Sequence, residues 1–141
     1  MNEIKQIKLK TIAAIYILFF VTTMELLLKN NIQVTNGPHG GKLKKTETFY
    51  IEKVQSHENI YVYLLNNKCI PINNKEIKGE IRFYFRDQTT SDAPLIPFES
   101  EGFEAKMSDE NYHACRITFV ISGKSISAIF DNDNLIVQKN K

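Results

Sequence analysis

Ile77-Lys78-Gly79-Glu80-Ile81-Arg82-Phe83-Tyr84-Phe85-Arg86-Asp87 carries the clearest structural signal in the chain. Its apolar residues Ile81, Phe83 and Phe85 alternate with Arg82, Tyr84 and Arg86. Period two is the side-chain period of a β-strand with one buried face. Upstream, Ile60 to Leu65 (IYVYLL) is apolar on both faces, which suits a central strand. Asn66-Asn67 and Asn73-Asn74 mark turns between the two.

The same pattern extends in both directions. Lys42 to Lys45 and Phe49 to Val54 read as strands before it. Ala93 to Phe98, Gly102 to Met107, Tyr112 to Ser122 and Ser125 to Asp131 follow it, with Tyr112 to Ser122 the longest. Pro94 and Pro97 cannot donate to a ladder, so Ala93 to Phe98 is expected at an edge or in an extended loop. Seven or eight short antiparallel strands and no helix predict an all-β domain, with an immunoglobulin-like β-sandwich first and a small barrel second.

The first 28 residues stand apart. Lys5, Lys8 and Lys10 precede an uncharged apolar run from Thr11 to Met24. A basic start followed by a short apolar run is the export-signal pattern. As a helix the run spans about 21 Å at 1.5 Å per residue, short of a bilayer core. Residues 1–28 therefore read as a signal peptide or an N-terminal inner-membrane anchor. Residues 29–36 read as a linker, 37–131 as the β domain and 132–141 as a polar tail. Export to the periplasm is the expected location.

Charge excludes one class of partner. Of 18 basic and 16 acidic residues, four Lys and two Glu fall in the first 35, leaving 14 of each sign in the rest. A neutral domain lacks the basic footprint that phosphate binding needs, so nucleic acid is excluded.

Four residues are candidates for chemistry. His39 lies in Gly37-Pro38-His39-Gly40-Gly41, where glycines let a ligand approach the backbone and imidazole can bind a metal. A plain turn with His39 facing water is the competing reading. His113 and Cys115 form an H-x-C pair, and soft thiolate with imidazole suits Cu(I) or Zn. Ile117, Phe119 and Ile121 continue that face, which makes it equally a core face. Cys69 and Cys115 are the only cysteines, and spacing leaves a disulfide open. Asp131 to Asn134 resembles a calcium-loop fragment without the Gly and distant Glu of an EF-hand. There is no G-x-S-x-G, phosphate loop or H-E-x-x-H spacing, so a non-catalytic protein is expected.

The strings Gly37 to Leu43, Tyr50-Ile51-Glu52-Lys53-Val54 and Ile60 to Leu65 resemble the small N-terminal domain of periplasmic adaptor subunits in heavy-metal efflux pumps of the resistance-nodulation-division class. The ending Gly123 to Phe130 resembles that of small exported proteins of Bacteroidota. The resemblance implies a periplasmic sandwich associated with resistance to soft or borderline metals such as Cu, Ag, Zn or Cd. It implies His39 as a ligand with Glu52 as its partner, and an efflux-pump component as the protein partner. The hairpin, lipoyl and barrel portions of such an adaptor have no counterpart in this sequence. A membrane-tethered interaction module of the cell envelope without a metal is the alternative. A third reading is ligand or glycan binding through Tyr61, Tyr63 and Tyr84.

Overall fold

The computed structural model describes residues 2–30, 36–132 and 134, with side chains of the helix described for 5–21. The chain divides into two compact units, residues 1–34 and 35–141. Most of the expected linker and tail lies outside the described residues.

The first unit is one helix, α1 (Asn2–Asn30). Its described apolar side chains are exposed around the whole circumference, from Val21 at 48% to Tyr16 at 73%. No helix among the described residues is long and apolar enough to cross a membrane.

The second unit is all-β. Eight strands run β1 (Lys42–Lys45), β2 (Tyr50–Gln55), β3 (Asn59–Leu65), β4 (Lys78–Tyr84), β5 (Thr90–Phe98), β6 (Gly102–Lys106), β7 (Ala114–Ile121) and β8 (Lys124–Asp131). They form one antiparallel sheet in the order β1-β2-β3-β6-β5-β4-β7-β8. Strand β5 joins its two halves. Its residues Thr90–Leu95 pair with β4, and Ile96–Phe98 pair with β6. A strand that changes partners turns the corner between two packed layers. The sheet thus curls over its own core, and the edge strands β1 and β8 come within 8 Å at Cα. The result lies between a sandwich and a nearly closed barrel.

The alternation read from sequence builds the core. Ile60, Val62 and Leu64 of β3, Ile81 and Phe83 of β4, Phe103 of β6, Ile117 and Phe119 of β7 and Phe130 of β8 are at most 1% exposed. Each such side chain contributes about 1.5–3 kcal/mol by leaving water.

Two sequence expectations change. The longest strand is β5, despite its prolines, and it lies inside the sheet order. The prolines fit because each half of β5 has a ladder on one side only, so each half is locally an edge. His113 and Cys115 do not share an environment: Cys115 is fully buried and His113 is exposed. Tyr112, at 0% exposure, fills the core position ahead of β7 and leaves His113 outside.

Candidate functional site

The segment Gly37–Gly41 folds back over the outer face of β2. Ile51 and Lys53 of that strand pair with Leu64 and Val62 of β3 and point inward, so Glu52 between them points outward. Glu52 is nevertheless fully buried, because the loop covers it. One carboxylate oxygen, Oε1, accepts the backbone N–H of His39 at 2.8 Å and of Gly41 at 2.9 Å. The other, Oε2, lies 2.8 Å from His39 Nδ1. Gly37 is required beside it. A Cβ there would fall 2.3 Å from Glu52 Cδ.

The His39 ring is fixed on its other side by Tyr63. The two rings stack with centroids 3.6 Å apart and planes 7° from parallel. Tyr63 is the cross-strand partner of Glu52. Partial burial, then the charges of Glu99 and Glu52, push the Tyr63 phenol above its ordinary pKa. A carboxylate accepts, so His39 Nδ1 is its donor, and in the neutral ring the lone pair is left on Nε2. With Nδ1 turned to the buried carboxylate, Nε2 lies at the far edge of a side chain that is 32% exposed. This is how an oriented metal-binding imidazole is supported in metalloproteins. Glu52 is its positioning group. Its two oxygens are engaged differently, Oε1 by the loop and Oε2 by the ring.

The other sequence candidates lie elsewhere. Cys115 sits in the core opposite Phe83 and Phe130, and burial pushes its thiol up to about 11. Both cysteines are free thiols. Among the described residues, no three His, Cys, Asp or Glu side chains gather as a metal set.

No family model, characterised protein or solved structure matches this chain.

Sequence reasoning missed a second polar cluster. Lys53 is only 3% exposed. Its ammonium lies 3.3 Å from Gln55 Oε1, the Tyr112 hydroxyl and the Asp131 carbonyl oxygen. The Tyr112 hydroxyl donates to Gln55 Oε1 at 2.6 Å. The signal was available in strand parity, since Lys53 shares the inward face of Ile51. A cavity of about 490 Å³ lies at the opposite end of the strands, between Thr46–Phe49 and the β7–β8 hairpin. It gathers Phe49, Ile121 and Ile126 with serine and threonine hydroxyls, and no His or Cys. The oriented imidazole of His39 is the more specific chemical feature.

Proposed function

We propose that this protein is an exported, non-catalytic accessory module that handles a soft or borderline metal ion through His39. The observation that carries this reading is the His39 imidazole, held by Glu52 at Nδ1 and by Tyr63 at its face, on a side chain that is 32% exposed. One imidazole is a weak site alone. The ion would be shared with ligands from a partner, as suits transfer rather than storage. The resemblance to efflux-pump adaptor domains and the basic start of an apolar α1 support an envelope location.

The test is titration of the full chain in mild detergent with Ag(I), Cu(I), Zn(II) and Cd(II), following the His39 ring nitrogens by NMR. A shift centred on Nε2, lost in His39→Ala, supports the reading. No Nε2 response below about 1 mM metal, near −4 kcal/mol, would overturn it.

A membrane-tethered interaction module without a metal is the second reading. One observation favours it: Ile96 is 56% exposed on the outer face beside half-buried aromatic rings.

A further inference from the structure

The outer face of β3, β6 and β5 carries two cross-strand rows. In one, Tyr63 stands opposite Gly102, which stands opposite Phe98. In the next, Tyr61 stands opposite Glu104, which stands opposite Ile96. Neighbours Ile60, Val62, Phe103 and Leu95 point into the core, so these residues face outward.

Gly102 joins the rings into one surface. A Cβ there would sit 2.9 Å from Tyr63 Cε1 and 3.4 Å from Phe98 Cδ1, so the rings close over the space a side chain would take. Phe98 then meets Tyr61 with centroids 5.1 Å apart. The stacked pair of His39 and Tyr63 extends the platform toward β2. None of these rings is fully buried.

The ladder and the β5–β6 turn place three carboxylates around the rings. Glu104 stands in the ladder between Tyr61 and Ile96. Glu99, exposed, directly follows Phe98 and lies near enough to Tyr63 to act on its phenol. Exposed Glu101 precedes Gly102. The two rows contain no basic residue. Along the ladder, Lys106 stands one row further on, opposite Asn59. Aromatic faces attract cations, and carboxylates at their rim pair with them. Arginine suits both, since its planar guanidinium stacks on a ring and forks onto a carboxylate.

We infer that this face, Tyr61, Tyr63, Phe98 and Ile96 rimmed by Glu99 and Glu104, docks an extended partner segment that presents arginine or lysine side chains. This deepens the interaction reading and does not depend on metal at His39. Tyr61 and Glu104 carry the recognition.

The experiment uses the full chain in non-ionic detergent with EDTA present. It is titrated with an octapeptide alternating Gly and Arg, its Gly-Glu counterpart and a neutral β-linked glucose hexamer. Binding is read from NMR shifts of Tyr61, Ile96 and Glu104. The expected result is saturable binding of the Arg peptide alone, weakened at least fivefold by Tyr61→Leu and by Glu104→Gln. Both variants change outward residues, and their core methyl spectra report whether the fold is kept. Shifts elsewhere on the domain would overturn the inference. So would binding of the hexamer in place of the Arg peptide. Weakening by Glu104→Gln but not by Tyr61→Leu would show mere bulk charge and would also overturn it. EDTA keeps this outcome separate from that of the metal titration.

Discussion

Glu52 holds His39 at two points, taking its backbone N–H on one carboxylate oxygen and facing its Nδ1 with the other. A single side chain thereby fixes both the loop and the tautomer of the ring it carries. Glu52→Gln separates the two roles. The amide oxygen can still accept the N–H groups of His39 and Gly41. The amide nitrogen then donates to Nδ1, which moves the ring proton to Nε2 and removes its lone pair. Ring-nitrogen NMR should show this exchange of tautomers. Metal affinity should fall about 10–100-fold, the usual effect of losing the group that orients a ligand. Unchanged tautomer and affinity would show that Glu52 serves the loop alone.

The glycines around His39 have different reasons to be there, and substitution distinguishes them. Gly37→Ala drives a Cβ into the carboxyl of Glu52, which is buried and held by three contacts and cannot retreat. It should cost about 2–3 kcal/mol in urea unfolding. Gly40 has φ +77° with open space around it. Gly40→Ala should cost about 1 kcal/mol, through backbone conformation alone. Equal losses at both positions would show that the carboxyl of Glu52 yields to the new methyl group.

Much of this fold is written in period two. The alternation of Ile81, Phe83 and Phe85 against Arg82, Tyr84 and Arg86 placed β4, and each of the eight expected runs overlaps an observed strand. Sheet order was not legible, because it depends on pairings such as β3 with β6 that span some forty residues of chain. The site was half legible. Gly37 to Gly41 marked a special turn, but strand parity puts Glu52 on an outward face. Only the fold-back of a loop thirteen residues away buries it. His113 and Cys115 misled because parity assumes an unbroken strand, and Tyr112 takes a core position just before β7 begins.

The two thiols should behave as different chemical species. Cys115 is fully buried, whereas Cys69 is half-buried in a turn. A thiol reagent at pH 8 should label Cys69 in the native protein and both cysteines after denaturation. The raised pKa of Cys115 also sets a sign for stability. Its folded value is about 11 against an ordinary 9.0, so the unfolded chain ionises first. The folded state then holds more protons, and stability falls as pH rises from about 9 to 11. The loss from this group is at most about 3 kcal/mol. Cys115→Ala should flatten that part of the profile while lowering stability at neutral pH. Labelling of Cys115 as fast as Cys69 would mean that β7 opens readily.

Lys53 tests what closes the sheet. It rises from β2 into the interior and reaches the Asp131 carbonyl oxygen of β8, across the gap that the ladder leaves between β1 and β8. Its ammonium also lies 5.6 Å from the Tyr112 ring and 5.8 Å from the Phe130 ring, so the charge rests among aromatic faces. Lys53→Met keeps most of the volume and removes the donors. The Tyr112 hydroxyl still has Gln55 as an acceptor, but the contact from β2 to β8 is lost. Loss of about 1–3 kcal/mol is expected, as for a hydrogen-bonded charge removed from a satisfied buried network. Hydrogen exchange should localise the effect, with amides of β1 and β8 losing protection before those of β3 and β6. A variant as stable as the parent, with β8 protection unchanged, would show that apolar packing alone holds the two edge strands together.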